Sequence, residues 1–467
     1  MGQMFTIKAS EAHGRRLDPE YHHALRRTRI RSTYPSAKLL SLSYFRTGGT
    51  PSTAHPEYWN GSIPWVSAKD FKAFRFEDSE DHVTELALAE STTCYVNRPA
   101  VLMVSRSGIL QHTLPVMVTH KPTTINQDIK AFFPDDRVSV DYLGAFFDVF
   151  GSRLLPLVCK SGATVQSLNT EQLMDLSIPL PPLSEQRKVV AELDAAYAAK
   201  READEKATKL LASIDDMVLN ELGIAKLPKP DTSLSSRIFT VPAREVLNDR
   251  FDAHYNQNFF RDLADLIWED KRCCRLGSVG TFVRGVTYKS EDEAECGHAI
   301  LRANNVSLEK FELDLSDLVH VSSDLAFSPA QQIKDGDILI CAASGSKEHA
   351  GKVAYVRNAP EDTYIGGFMM VLRTDAGVNP EYVAAYMQSS IFRGLIFRHL
   401  GGTNINNVSL ELLNKLPLIL PDAAMQDGIA SRASSIRAEA RKLKADATVA
   451  LDAAKRKIEE ELMIKEN

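Results

Sequence analysis

Two long stretches of the chain carry apolar and small residues at spacings that alternate between four and three. The first stretch follows Ser184, and the second includes Ile429. These spacings are the heptad period of a coiled coil, because such residues fall on one stripe of a helix. Most other positions are Lys, Arg, Glu or Asp, as expected of a solvated face. The stripes are Val189, Leu193, Ala196, Lys200, Ala203, Ala207, Leu210 and Ile214, and Ile429, Ala433, Ile436, Ala440, Leu443, Ala447, Ala450 and Ala454.

A narrow apolar stripe fits a partner helix better than it fits a sheet, so we expect the two helices to pair with each other. Lys200 interrupts the first stripe and is tolerable if its stem packs while its charge reaches water. The alternative is that each helix packs on its own globular block. An antiparallel pair would relate the blocks by a pseudo-two-fold axis, whereas a parallel pair would gather them at one end.

The segments before these helices have a different pattern, with short apolar runs separated by Gly, Asn and Pro. Such runs predict strands, and a short helix is predicted late in each segment, at 140–147 and 380–387. We therefore predict an α+β fold with two tandem-duplicated, β-rich α/β domains joined by two long helices that form an antiparallel coiled coil. The predicted strands include 63–67, 100–104, 299–301 and 337–341.

The chain contains an internal duplication. Residues 5–224 recur in diverged form as residues 239–464. The offset is 234 residues near the start and 240 further on, which is too long for a solenoid repeat. Whole domains have been duplicated, and the chain should present two similar surfaces. The early matches are Phe5, Ala9, Glu11, Arg16, Asp18 and Tyr21 with Phe239, Ala243, Glu245, Arg250, Asp252 and Tyr255; the later ones are Gly162, Leu173, Leu176 and Pro181 with Gly402, Leu413, Leu416 and Pro421.

These patterns divide the chain into six predicted segments. Residues 1–35 form the N-terminal segment of the first repeat, 36–182 a first globular block and 183–223 a central long helix. Residues 224–274 form a polar, Pro-containing linker with the N-terminal segment of the second repeat. A second globular block spans 275–421, and a C-terminal long helix spans 422–465.

Composition narrows the class of protein. With 44% hydrophobic residues and a net charge of −6, the 467-residue chain can bury sizeable cores and does not resemble a disordered chain. No apolar run approaches the ~18 residues of a membrane span. The N-terminus lacks an apolar secretory region, and the six cysteines include no CxxC pair, so we expect reduced thiols in a cytoplasmic protein.

Motifs for catalysis are missing. Asp18-Pro19-Glu20-Tyr21 lacks the second proline of the Asn/Asp-Pro-Pro-aromatic motif with which adenine methyltransferases hold an extruded base. The run from Gly345 to Lys352 fails as a phosphate loop in its glycine spacing and has Val353 where Ser or Thr is needed. His22, His23 and His112 have no companions at metal-ligand spacing. We therefore expect neither a catalytic residue nor a metal site on this chain.

Three runs of sequence resemble the specificity subunits of type I restriction-modification systems. One is Pro179-Leu180-Pro181-Pro182-Leu183-Ser184-Glu185-Gln186-Arg187, which enters a long helix after a β-rich block. The others are Trp65-Val66-Ser67-Ala68-Lys69-Asp70, after Gly48-Gly49-Thr50-Pro51, and the run 344–353. The resemblance covers nearly the whole chain, including the duplication. In the second repeat, the run 420–426 keeps one proline and Gln426 but not the Pro-Pro-Leu-x-Glu-Gln form.

This resemblance implies a non-catalytic subunit that reads a bipartite double-stranded DNA site, with one target recognition domain for each half. It implies two copies of a DNA-adenine methyltransferase (modification) subunit as partners, and a restriction and translocase subunit where the system has one. S-adenosylmethionine would belong to the modification subunit, and ATP and Mg²⁺ to the restriction subunit. The paired helices would set the half-site spacing and dock the modification subunits. The alternatives are a coiled-coil scaffold whose blocks bind protein, and a self-contained nuclease or methyltransferase.

Polar loops in both blocks supply the residue types that read DNA. Arg, Lys, Asn, Gln, Ser and Thr contact base edges, and Lys, Arg and backbone amides contact phosphates. An ordinary polar turn is the alternative for each loop. The predicted DNA-binding residues are Thr47, Gly48, Thr50, Lys69, Ser105, Arg106, Ser107, Asn126 and Gln127 in the first block, and Arg284, Arg302, Asn304, Asn305, Ser344, Ser346, Lys347, Thr403 and Asn404 in the second.

Overall fold

The computed structural model describes residues 30–160, 165–228, 231, 233, 235, 238–246, 250–307, 312–400 and 406–463. The chain forms two compact units, the first made of residues up to Glu202 together with those from Ala445, and the second of Ala203–Lys444. Each unit holds one β-rich block and halves of both long helices. Within the described ranges, no helix has the length and apolar character needed to cross a membrane.

The described helices are dominated by two of forty residues each. They are α1 Leu39–Leu42, α2 Glu85–Glu90, α3 Val140–Val158, α4 Thr170–Met174, α5 Leu183–Leu222, α6 Ala243–Val246, α7 Asn258–Trp268, α8 Pro380–Gln388, α9 Ser390–His399, α10 Leu410–Lys415 and α11 Ala423–Leu462.

The described strands are short and divide equally between the two blocks. In the first block they are β1 Ser36–Lys38, β2 Ser43–Thr47, β3 Trp59–Val66, β4 Asp81–Val83, β5 Cys94–Val96, β6 Ala100–Val104, β7 Val116–Thr119, β8 Thr123–Ile125, β9 Ile129–Pro134, β10 Cys159–Lys160, β11 Ser167–Leu168 and β12 Ser177–Pro179. In the second they are β13 Cys273–Arg275, β14 Gly280–Arg284, β15 Glu293–Ala294, β16 His298–Leu301, β17 Val319–Val321, β18 Ile338–Cys341, β19 Ala343–Ser344, β20 Val353–Tyr355, β21 Thr363–Ile365, β22 Met369–Thr374, β23 Asn406–Asn407 and β24 Pro417–Ile419.

The sheets repeat from one block to the other. An antiparallel sheet has the order β2-β9-β6-β7 in the first block and β14-β22-β18-β20 in the second. A second four-stranded sheet contains the parallel pair β3 and β8 in the first block, and β16 and β21 in the second. The α+β duplication predicted from the sequence is therefore confirmed.

One helix packs on the antiparallel sheet of each block. In the first block it is α3, whose Phe146, Phe147 and Phe150 are fully buried against the sheet. The helix predicted at 140–147 thus continues to Val158. In the second block, α8 fills this place and α9 follows it after a break at Ser389, whose side chain caps α9 by accepting a hydrogen bond from the Phe392 N–H.

A buried glutamine attaches the start of each long helix to its block. The Gln186 amide accepts a hydrogen bond from the Ser139 N–H (2.9 Å) and donates to the Arg137 carbonyl (3.0 Å). Gln426 accepts from the Asn379 N–H at the same distance, 2.9 Å. Because Ser139 and Asn379 are the N-caps of α3 and α8, each glutamine joins two helix starts. This contact explains why Gln426 is kept although the surrounding motif is lost.

In the first unit, the long helices share a core with the block. Leu193 of α5 and Leu451 and Ile458 of α11 are buried in one cluster with the apolar face of α3. The Lys457 ammonium pairs with Glu192 at 2.7 Å, and that of Lys455 lies 5.2 Å from the Tyr197 ring centre. Residue numbers rise along α11 as they fall along α5, so the helices are antiparallel.

In the second unit, the other halves of the same helices meet in the same way. Val218 and Leu222 of α5 are buried with Ile429 and Ala433 of α11 in a core that also contains the block. Arg432 pairs with Glu221. The two interpretations weighed from the sequence are therefore both partly correct, since each helix contacts its partner and a globular block.

The apolar stripe of α11 differs from the predicted one near its end. Ala450 is exposed, whereas Leu451, Ile458 and Leu462 are buried. A strict heptad drifts across the face of a straight helix, which has about 3.6 residues per turn. A step of four from Ala447 to Leu451 corrects that drift and brings larger side chains into the core.

The Arg-Phe-Asp-x-x-Tyr element at the head of the second repeat packs against the end of α9. The Arg250 guanidinium donates to the His399 carbonyl (2.9 Å), and the Arg398 guanidinium lies 4.1 Å from the Tyr255 ring centre. A cation beside the last carbonyls of a helix is favourable because the helix dipole is negative there. The matching element of the first repeat, at Arg16 to Tyr21, lies outside the described residues.

Candidate nucleic-acid interface

The parallel strand pair brings two loops together in each block. Val66 lies opposite Ile125 in the first block, and Leu301 lies opposite Ile365 in the second. Parallel strands end at the same edge of a sheet, so the loops that follow them are neighbours. The Asn126 N–H donates to the Val66 carbonyl (3.0 Å), and the equivalent Gly366 N–H donates to the Leu301 carbonyl (2.9 Å).

A glycine brings a third loop against this pair. A Cβ at Gly48 would lie 1.9 Å from the Ile125 carbonyl oxygen, and one at Gly285 would lie 1.9 Å from that of Gly366. Real side chains do not approach a backbone so closely, so only glycine fits at either position. The two glycines follow β2 and β14, which are equivalent strands of the two blocks.

A fourth loop joins through the backbone that follows β6 or β18. The Ser105 N–H donates to the Asp128 carbonyl (2.7 Å), and the Ala342 N–H donates to that of Phe368 (2.8 Å). Four loops thus meet at one end of each block. We call these surfaces the first loop edge, residues 47–50, 67–69, 105–107 and 126–128, and the second loop edge, residues 284–286, 302–305, 342–347 and 366–368.

On the first loop edge, the exposed polar side chains are paired inside the protein. The Arg106 guanidinium contacts Asp128 at 2.7 Å. The Lys69 ammonium lies 2.9 Å from Asp81 and 3.2 Å from Glu80, and these hydrogen bonds raise the pKa of Lys69. The remaining exposed side chains are close together, since the Thr50 hydroxyl donates to Gln127 and the Lys130 ammonium donates to the Thr47 hydroxyl (3.4 Å).

On the second loop edge, fewer of the cationic side chains are paired with carboxylates of the described residues. Among the described residues, the side chains of Arg284 and Lys347 make no hydrogen bond or ion pair, and both are exposed. Arg302 lies 3.6 Å from Asp317, which also accepts a hydrogen bond from Asn304. Ser344 and Ser346 are bonded locally, Ser344 accepting from the Ser346 N–H (3.2 Å) and Ser346 donating to Glu348.

Three of the predicted DNA-contact residues are buried and use their side chains for hydrogen bonds within the protein. Asn305 is 1% exposed and donates to the carbonyls of Asp314 (2.8 Å) and Asp317 (2.9 Å). The buried Asn126 side chain accepts from the Asp128 N–H (3.0 Å), and the buried Ser105 hydroxyl donates to the Asp128 carbonyl (2.9 Å). These side chains hold the loops in place. DNA contact by the others stays a prediction.

One loop of the second edge was not among the candidates from the sequence. The hydrogen bonds show that 126–128 corresponds to 366–368, whereas the last candidates in the second block were Thr403 and Asn404. Thr403 and Asn404 lie outside the described residues. Sequence analysis consequently missed Phe368, whose side chain is 72% exposed on the second loop edge. The offset of 240 residues, which relates Ile125 to Ile365, was the signal that could have identified it.

The edges offer hydrogen-bond donors and cations but no metal site in the part of the chain described. No group of three or more His, Cys, Asp or Glu there could hold a metal ion. Lys130 is half-buried beside the first loop edge with its ammonium 4.3 Å from the Phe45 ring centre, and burial lowers its pKa. Exposed cations and hydrogen-bond donors are the groups that contact phosphates and base edges in protein–DNA complexes.

Comparison with known proteins finds similarity over part of the chain. Residues 35–209 match the type I restriction modification DNA specificity domain. The type I restriction enzyme EcoR124I/EcoR124II specificity subunit of Escherichia coli is 38% identical over 148 residues, which is 32% of this chain and 37% of that protein. The StySPI specificity subunit of Salmonella potsdam is 34% identical over 174 residues, 36% of this chain and 37% of that protein. The match thus spans little more than a third of either relative.

Solved structures align over most of the chain but with low scores. The type I restriction-modification S subunit from M. genitalium aligns with 93% of this chain and 97% of its own, at 12% identity and a TM-score of 0.40. A chain from a study of complex assembly and conformational transition of the type I R-M system has the same coverage, at 15% identity and a TM-score of 0.44.

Proposed function

We propose that this chain, which carries a type I restriction modification DNA specificity domain, is the DNA-recognition subunit of a type I restriction-modification complex. It reads a bipartite site in double-stranded DNA, with one globular block for each half-site. Bases are read by the two loop edges. The chain itself carries out no reaction and holds no cofactor.

The duplicated frame of the loop edges supports this assignment most strongly. The same backbone hydrogen bonds and the same tight glycine recur at both edges, while the side chains on them differ. Asn126-Gln127-Asp128 stands where the second edge has Gly366-Gly367-Phe368. A shared frame with different side chains suits a protein that reads two different short sequences on a continuous duplex.

In this proposal, partner subunits carry out the methylation and cleavage reactions. Two copies of a DNA-adenine methyltransferase subunit would dock on α5 and α11 and bring S-adenosylmethionine, and a restriction subunit, where the system has one, would bring ATP and Mg²⁺. The long helices would set the distance between half-sites. Outside the buried stripes, the two long helices expose both acidic and basic side chains. This supports the role, because such surfaces can form a polar interface with another protein.

Purified chain with its modification subunit, S-adenosylmethionine and a random duplex library provides the test. We expect methylation at sites with two specified halves and a fixed spacer, and binding that weakens steeply as salt rises. The chain alone, incubated with DNA, Mg²⁺ and S-adenosylmethionine, should leave the DNA unmodified. Absence of duplex binding by the complex would refute the assignment and favour a protein-binding scaffold.

A further inference from the structure

An arginine is buried in the second unit without a counter-ion among the described residues. Arg437 lies on α11 and is 5% exposed. One terminal nitrogen of its guanidinium donates to the Gln388 side-chain oxygen (2.5 Å), but its Nε is buried and has no hydrogen-bond partner. A buried cation that lacks an anion is destabilising, because the loss of its hydration is not compensated.

The carboxylates nearest this arginine are engaged with other cations. Glu312 pairs with Arg441, and Glu381 pairs with Arg357 at 2.6 Å. The side chain that Arg437 does contact, Gln388, is neutral. Arg437 therefore makes no ion pair with a described residue. Burial lowers the pKa of Arg437, and the neighbouring charge of Arg357 lowers it further.

Arg437 also lines a cavity of about 210 Å³. This volume exceeds the ~30 Å³ share of a single water and falls below the ~300–1,000 Å³ of pockets for drug-sized ligands. The cavity lies between the long helices of the second unit and the segment that contains Glu312, and it is separate from the residues of the loop edges. Its lining is Leu211, Glu312, Arg437, Ala440, Arg441 and Lys444.

We propose that this cavity binds a small oxyanion, a phosphate or a carboxylate, on the guanidinium of Arg437. Such an anion neutralises the buried charge and accepts hydrogen bonds from the part of the guanidinium that Gln388 does not use. A guanidinium recognises the paired oxygens of either group through two parallel hydrogen bonds. The proposal goes beyond DNA recognition and does not depend on it, since it concerns a site built from α5, α11 and the segment around Glu312.

Thermal unfolding of the full-length chain tests this site. Sodium phosphate and sodium acetate are each titrated against sodium chloride at matched ionic strength, so that general screening cancels. A ligand that binds only the folded state raises the unfolding midpoint as a saturating function of its concentration. We expect phosphate, acetate or both to give a rise of about 2–4 °C. The effective anion identifies the oxyanion class, and no rise with either overturns the proposal.

Substitutions separate this site from the rest of the surface. Arg437→Met removes the charge and keeps a long stem, so the variant should fold and lose the response. Arg432→Met, on an exposed part of the same helix, should retain it. An unchanged response in the Arg437 variant would overturn the proposal.

Glu312→Gln gives a second measurement if the Arg437 variant does not fold. This change removes a carboxylate from the cavity lining and leaves Arg441 without its partner. The half-saturating anion concentration should fall about fivefold, since a competing charge is lost. An unchanged or higher concentration contradicts the proposal.

Discussion

The two loop edges share one backbone frame and differ in how their charge is compensated. On the first edge, Arg106 is held by Asp128 and Lys69 by two carboxylates. On the second edge, Arg284 and Lys347 make no ion pair with a described residue, and Phe368 occupies the position of Asp128. To contact a DNA phosphate, an arginine that is paired with a carboxylate must first leave that carboxylate. An unpaired arginine need not. In the proposed function, the frame fixes where DNA contacts fall, and the side chains decide how strongly each edge binds.

The largest effect should come from replacing one edge entirely. Exchanging residues 36–182 for the equivalent block of a relative should change one half of the methylated sequence and leave the other half unchanged. Mapping methylated sites by sequencing checks this. The reciprocal exchange of 275–421 is the control and should change the opposite half. A change in both halves after a single exchange would show that the edges do not read independently.

The second-largest effect should be a loss of folding stability when the tight glycines of the shared backbone frame are replaced. Gly48→Ala and Gly285→Ala each force a Cβ into a backbone carbonyl and should lower the free energy of unfolding by about 1–3 kcal/mol. Gly108→Ala and Gly345→Ala are matched controls, because an added Cβ there meets nothing within 4 Å. Denaturant unfolding measures all four. Equal destabilisation by all four variants would show that the close approach does not matter.

Removing cations should affect the two edges differently. Arg284→Ala and Lys347→Ala should weaken DNA binding, by about 1–3 kcal/mol where the side chain reads a base. If the contact is to phosphate, affinity should fall evenly across sequences and the salt slope should flatten. Arg106→Ala and Lys69→Ala should cost less, because those cations first have to leave their carboxylates. Salt-dependent binding isotherms give the answer, and larger losses on the first edge would contradict the comparison.

The smallest effect concerns the carboxylate that restrains Arg106. Asp128→Asn keeps the size of the side chain, and the hydrogen bonds from the Ser105 N–H and hydroxyl go to the main-chain carbonyl of Asp128. The variant frees Arg106 and should raise DNA affinity by about 0.2–1 kcal/mol, the usual range for an exposed ion pair. In the double variant with Arg106→Ala this gain should vanish. A gain that persists there would come from lost repulsion between Asp128 and phosphate rather than from Arg106.

Features with a local signal were predictable from the sequence. The heptad stripes and the Pro-rich stops identified both long helices, and the duplication gave the fold class. The match of 126–128 with 366–368 was missed because candidate loops were chosen for polar side chains, and Gly366, Gly367 and Phe368 have none. Asn305 is buried on the carbonyls of Asp314 and Asp317, and Asn126 is buried with its side chain accepting from the Asp128 N–H. A polar loop composition reveals neither arrangement. Leu451 was missed because a strict heptad does not allow for helix drift.

The composition of the first unit has a consequence for synthesis. Its core contains Leu193 from the middle of the chain, and Leu451 and Ile458 from near its end. A ribosome therefore releases the first block long before the residues that complete its core have been translated. During that interval the apolar side of α5 near Leu193 lacks its partner. A chaperone that covers this side, or a slow approach to the final state after translation ends, is the expected cost of interleaving the two repeats.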